Sequence, residues 1–177
     1  MFAHRPFFLK VIQNINSIFE VYRLGTVIRL LFLGFSAGLP ILLVFSSLSI
    51  WLREAGVERA TIGFFSWVSL AYAMKWIWAP AIDQLTLPLL SRKFGRRRSW
   101  LLLAQSGLVL SIVAMAMINP KENLYLMSLA ALGVAFFSAT QDIVIDAFRI
   151  ESGSDKQQAA MAATYQIGYR LAMILAS

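Results

Sequence analysis

Five apolar runs, 30–52, 61–82, 99–118, 124–145 and 158–177, alternate with short polar segments along the chain. Each is close to the roughly 20 residues that a helix needs to cross the hydrocarbon core of a bilayer. The pattern therefore predicts an all-α membrane protein with five transmembrane helices. Ahead of them, Phe8, Val11, Ile12, Ile15, Ile18, Phe19 and Tyr22 recur at helical spacing, with Lys10, Gln13, Asn14, Ser17 and Glu20 between them. That alternation predicts an amphipathic helix lying on the membrane surface. The division expected is a leader over 1–29 and a transmembrane bundle over 30–177. The first long run is too long for the apolar part of a signal peptide, so it reads as an uncleaved span.

Charge orients the pattern. Arg5, Lys10, Arg23 and Arg29 precede the first run, and Arg92, Lys93, Arg96, Arg97 and Arg98 lie between the second and third. The first and third loops are balanced: Arg53 and Arg59 against Glu54 and Glu58, then Lys121 against Glu122. Basic excess thus alternates from loop to loop, which sets the N-terminus and the second loop in the cytoplasm. The net charge of +7 alone could point to nucleic acid, but the basic residues are confined to these segments, and nucleic-acid binding is not expected. The 59% hydrophobic and 14% charged composition agrees with a membrane protein, since a soluble domain carries about 25% charged residues. With no cysteine there are neither disulfides nor thiolate metal sites. Among the motifs there is no histidine cluster, nucleophile–base pair or glycine-rich phosphate loop, so neither an enzyme nor a bound metal or cofactor is expected. The lone His4 reads as a solvated tail residue.

Small residues mark expected helix contacts: Gly34 and Gly38 as a GxxxG in the first run, and Ala131, Ala135 and Ala139 at spacing four in the fourth. Pro40 is expected to bend the first helix, because it removes a backbone hydrogen bond. The tryptophans fall near run ends and read as interfacial anchors. Ionisable groups inside the runs are the functional candidates, since each costs about 2.5–3.5 kcal/mol near hydrocarbon. Counting helical rise sets Arg170 about 18 Å into its span, near the midplane, and Lys75 and Asp142 in the cytoplasmic half. Asp142, Asp146 and Arg149 share one helical face, with the last two at the interface. Gln105 and Gln141 are uncharged polar groups within spans, fit for sugar hydrogen bonds or interhelical contacts.

Several strings resemble the AmpG muropeptide permease family of the major facilitator superfamily: GFSAGLPILL at 34–43, TIGFF at 61–65 and KWIWAPAIDQ at 75–84, then GRRRSWLLLAQ at 95–105, ATQDIVIDAFR at 139–149 and GYR at 168–170. The resemblance covers nearly all of 30–177. It implies a carrier of the bacterial inner membrane that imports GlcNAc–1,6-anhydroMurNAc muropeptides, driven by protons, for cell-wall recycling. Superfamily members have twelve spans in two halves with substrate between them. The five runs therefore correspond to part of an N-terminal half, truncated at 177, whose partners would be the missing C-terminal helices, the lipid bilayer, a muropeptide and protons. The resemblance also distributes roles. Arg170, Gln141 and Gln105 are candidates for substrate binding, and Asp142 with Lys75 for proton coupling. Asp83, Gly95, Arg96, Arg97, Asp146 and Arg149 are candidates for a cytoplasmic gate or loop motif. The alternative for Arg170 is a structural partner to an acid on another helix, and for Asp142 a fixed ion pair with Lys75. For Lys75 it is snorkelling toward the cytoplasm, while Asp146, Arg149 and Asp83 read equally well as ordinary interfacial residues. Asp83 and Gly95 lie farther apart than the superfamily loop motif has them, which leaves that loop's geometry open. The rival readings are a non-transporting membrane fragment or subunit, and a related acetyl-CoA carrier.

Overall fold

The computed structural model describes residues 20–176. The expected surface helix falls almost wholly on residues 1–19, and His4 with it, outside the described residues. Among the described residues every regular element is helical. Three helices are long and apolar enough to cross a membrane: α1 over Gly25–Glu54, then Arg96–Met117 and Leu124–Ser152. In α1 the helix widens into a π-helical stretch at Leu43–Ser47, just beyond the buried Pro40. A π turn is one of the ways a helix absorbs a disturbed hydrogen-bond ladder, so the disturbance expected at Pro40 is taken up one turn later. α1 ends at Gly56, whose positive φ of 81° suits the left-handed residue that closes a helix.

The run at 61–82 does not form one continuous helix. It is divided into α2 (Arg59–Phe65), a 3₁₀ turn at Ser66–Val68, α3 (Ser69–Ala73), a second 3₁₀ turn at Lys75–Ile77, and α4 (Ala79–Gln84). Two local causes are visible. Ser69 Oγ donates to the Ser66 carbonyl at 2.5 Å, competing for an acceptor in the ladder. Pro80 sits in the first turn of α4, where its missing N–H is harmless but where it prevents an unbroken helix from above. The segment is apolar enough for lipid, but apolarity does not decide continuity.

A short α5 (Pro88–Phe94) then leads through Gly95, again at φ 81°, into α6 (Arg96–Met117). α7 (Leu124–Ser152) is capped by Asn123, whose side-chain oxygen accepts the Leu126 N–H at 3.1 Å. α8 (Asp155–Ala176) starts with half of a capping box, the Gln157 side chain accepting the Ser154 N–H at 3.1 Å. Gln158 Nε2 closes the corner by donating to the carbonyls of Arg149 and Gly153, at 3.2 and 3.0 Å. Part of the end of α7 is thereby satisfied by a side chain rather than by water.

α7 is the hub. It packs on α1, α3, α4, α6 and α8. Its small stripe Ala131, Ala135 and Ala139 is wholly buried, so small side chains do bring the neighbours close. α6 runs antiparallel to it: Gly107 leaves the space that the Phe137 ring fills, and Gly133 faces Ser111. The tightest contact joins α1 to α8, which run parallel. A Cβ on Gly34 would collide with the Tyr165 carbonyl, one on Gly38 with that of Tyr169, and one on Gly168 with that of Leu31. The GxxxG of α1 therefore meets a third glycine, and backbone lies on backbone. Outward, the surface is apolar: Met117, Trp76 and Leu110 are 82%, 70% and 69% exposed. Such a surface fits lipid rather than water.

Candidate functional site

Two polar regions stand out against this apolar frame. The first lies midway along the helices. Ser36 of α1 accepts two hydrogen bonds at one hydroxyl, from Gln141 Nε2 of α7 at 3.1 Å and from Gln105 Nε2 of α6 at 3.3 Å. The helices α1, α6 and α7 are thereby tied at one oxygen. Gln141 is fully buried, and its other atom, Oε1, has no partner. The buried hydroxyls of Ser138, one turn earlier on α7, and Tyr72 on α3 lie within reach of each other, with no well-aligned partner besides. A buried polar atom without a partner costs about 1–3 kcal/mol, so the free Gln141 oxygen beside two hydroxyls marks a place built to meet something polar.

Asp142 borders this layer. Tyr165 Oη of α8 donates to its Oδ1 at 3.5 Å, a long contact. Lys75 lies within electrostatic reach, yet no Lys75–Asp142 ion pair forms within 4.0 Å. The fixed-pair alternative is thus absent from this structure. Nearby, Trp78 Nε1 donates to Thr140 Oγ1 at 3.2 Å, and Trp100 Nε1 to the Leu85 carbonyl at 2.9 Å. These two tryptophans bind within the fold, whereas Trp67 and Trp76 are open to the surroundings as anchors would be.

Arg170 is exposed, two residues beyond Gly168 and so on the far side of α8 from α1. The parallel register with α1 brings it level with Gly38, about 20 Å from the start of that helix and about 24 Å from its end. It shares the level of the Ser36 layer, but Gln105 and Gln141 both donate to Ser36, and neither is joined to Arg170.

The second region is the charged end, where α4 stops and α6 starts. Arg97 spends its whole guanidinium on two carboxylates. Nη1 meets Asp83 Oδ1 at 2.6 Å, while Nη2 and Nε take Glu151 at 2.5 and 3.1 Å. Arg96 Nη1 donates to the Asp83 backbone carbonyl at 2.5 Å, capping α4. Gly95 makes this possible, its positive φ turning the chain so that both arginines open α6. Cations at a helix N-terminus oppose its dipole, and the two acids offset that. α5 fills the long interval between Asp83 and Gly95, folding back so that the two still come together. Glu151 lies in the last turn of a 29-residue helix of about 43 Å, beyond a core of about 30 Å. The Arg97 hydrogen bonds, aided by the charges of Arg97 and Arg96, hold its carboxyl below the usual range. Asp146 and Arg149 stay apart from this clamp. They pair with each other at 3.4 Å, one turn apart on α7.

Of the residues singled out by sequence, the structure thus brings Gln105 and Gln141 together at Ser36, and joins Asp83 with Arg96 and Arg97 and Asp146 with Arg149. Sequence reasoning missed Ser36, Tyr72, Ser138, Tyr165 and Glu151. The one legible signal was for Glu151, an acid within two turns of Asp146 at the end of an apolar run.

Residues 26–177 match the family model described as acetyl-coenzyme A transporter 1. The chain belongs to that family. Among curated proteins it is 42% identical over 146 residues to the anhydromuropeptide permease of Escherichia coli K12, covering 82% of this chain and 29% of that protein. It is 38% identical over 161 residues to a Rickettsia felis protein that bears an AmpG-type transporter name, covering 91% of this chain and 38% of the relative. A Rickettsia prowazekii protein named in the same way is 38% identical over 158 residues, with shares of 89% and 38%. The chain spans less than two-fifths of the length of these relatives. The resemblance drawn from its motifs is thereby upheld: this is an AmpG-type, multi-pass membrane protein of a transporter family.

Proposed function

We propose that the chain forms part of a carrier that imports GlcNAc–1,6-anhydroMurNAc muropeptides across the bacterial inner membrane, coupled to protons. The observation that carries this reading is the mid-helix layer, in which Gln141 Oε1 is buried without a partner beside the Ser138 and Tyr72 hydroxyls. A sugar offers hydroxyl donors and acceptors for such atoms, and a site that hydrogen-bonds them rejects ligands without them. Arg170, at the same depth, suits the lactyl or peptide carboxylate. Asp142, without a fixed cation, is the residue for proton coupling, with Lys75 as the charge that responds to it. The clamp of Asp83, Gly95, Arg96, Arg97 and Glu151 serves as the gate at the cytoplasmic end, and Asp146 with Arg149 forms a neighbouring latch. The surplus of Arg23, Arg29, Arg92, Lys93 and Arg98 at that end supports a cytoplasmic N-terminus. On this reading the broken segment at 59–84 and α8 both cross, giving five spans, and the remaining helices of such a carrier would close the site. An acetyl-CoA-type carrier is the second reading, favoured by the description of the matching family.

The test is uptake of labelled anhydromuropeptide into membrane vesicles from cells expressing the native gene. Uptake that is abolished by Arg170→Ala, with insertion intact, and ignored by excess acetyl-CoA supports the proposal. Competition by acetyl-CoA in place of muropeptide would shift the assignment to the second reading.

A further inference from the structure

A cavity of about 330 Å³ opens between α1, α6 and α7 at the charged end, its inner residues Leu33, Leu101 and Val144 about one helical turn from the polar layer. Its shape follows from where its residues sit. Arg29 is four residues into α1 and Arg98 two into α6, so both guanidiniums stand within about 6 Å of the helix ends, at headgroup depth. Phe32 and Leu101 come next, and Val144 lies about 12 Å in from the end of α7. The cavity is therefore cationic at its mouth and wholly apolar along its length. Val144 and Ile145 make a buried floor, while Phe32 forms an open outer wall. Arg97 also lines it but is consumed by Asp83 and Glu151. Arg29 and Arg98 are exposed and have no acidic partner within 4.0 Å among the described residues.

We infer that this groove binds an acidic membrane phospholipid, its headgroup phosphate held between Arg29 and Arg98 and one acyl chain laid along Phe32, Leu101 and Phe148. The volume is that of a small-ligand site. Basic pockets between spanning helices at the cytoplasmic face suit anionic headgroups. A free phosphate would satisfy the arginines and leave the apolar length unused, and a neutral lipid would leave the two cations unmatched. The inference needs only a membrane location, and stands whatever the carrier's substrate.

The direct test is labelling of the wild-type chain, purified in detergent, with phosphatidylglycerol carrying a photoactivatable acyl chain. Label concentrated on peptides containing Leu101 and Phe148 is expected, displaced by unlabelled phosphatidylglycerol but by neither phosphatidylcholine nor inorganic phosphate. Even spread over all apolar helices, or equal displacement by phosphatidylcholine, would overturn the proposal. Displacement by inorganic phosphate would reduce the site to an anion site and overturn the lipid. In native mass spectrometry the Arg29→Gln/Arg98→Gln double variant should retain the lipid about thirtyfold more weakly. Arg92→Gln/Lys93→Gln removes as much charge from the same end, outside the groove, and should bind as the wild type does. An equal loss in both variants would show only diffuse attraction to a basic surface.

Discussion

The mid-helix layer and the charged clamp are built on opposite plans. The layer is neutral, buried and incomplete: one serine hydroxyl receives two glutamines, and the other amide atom of Gln141 has no partner. The clamp is ionic, half-exposed and complete, with every nitrogen of Arg97 engaged. Completeness suits a contact that is made or broken as a unit when helices move. Incompleteness suits a surface whose remaining partners arrive from elsewhere. Energies run against intuition here. Exposed ion pairs contribute about 0–1 kcal/mol, whereas a buried unpaired atom can cost more than that.

The backbone contact that lays α1 beside α8 is the tightest in the fold, and breaking it should have the largest effect. Gly34→Val sets a side chain into the Tyr165 carbonyl, and Gly168→Val does so into that of Leu31. Backbone cannot turn away as a flexible side chain would. A loss of about 3 kcal/mol in folded-state stability is expected for either, read as a fall in the thermal midpoint of monodisperse protein. Gly63, with open space around its Cβ position, is the control: Gly63→Ala should leave that midpoint unchanged or raise it.

The next cut separates a binding layer from a packing layer. Gln141→Leu removes one unpartnered oxygen and one of the two bonds to Ser36, and Gln105 still donates to that hydroxyl. If the layer serves substrate, uptake should fall by about tenfold or more while the thermal midpoint holds or rises. A falling midpoint with unchanged uptake would make the layer a structural seam. Asp142→Asn is subtler. Uptake driven by a pH gradient should be lost while exchange of substrate across the membrane persists, because the carboxamide keeps its bond to Tyr165 but carries no proton. If both activities survive, the coupling role passes to another group.

How far these regions were legible follows from the kind of contact each uses. The helices α1, α6 and α7 follow from the length and apolarity of their runs. The broken segment at 59–84 does not, because Pro80 and the Ser66–Ser69 back-bond act locally against a run that hydropathy alone would carry through. The Asp146–Arg149 pair is written in an i, i+3 spacing. Arg97 instead selects Glu151, 54 residues away, and no spacing rule foretells a partner on another helix. Ser36 was invisible for the same reason. A lone serine in an apolar helix ordinarily bonds its own backbone, and only the approach of α6 and α7 makes it an acceptor for two glutamines. Gly168 likewise gains meaning only once α8 is laid in parallel register on α1.

The smallest effect belongs to the clamp. Arg97→Gln leaves Asp83 and Glu151 facing each other without their cation, but both carboxylates are half-exposed and water can take over much of the role. A stability change below about 1 kcal/mol is expected, shrinking further at high salt. Its pH dependence has a definite sign. Glu151 titrates below its ordinary range in the folded state, so its contribution is present above the unfolded carboxyl pKa and fades as pH falls through the lower, folded one. Wild type and Arg97→Gln should therefore differ in thermal midpoint at neutral pH and converge in acid. Should the gap persist unchanged below the carboxylate range, the clamp would be holding the chain by packing of the arginine stem, and the contrast with the neutral layer would lose its electrostatic half.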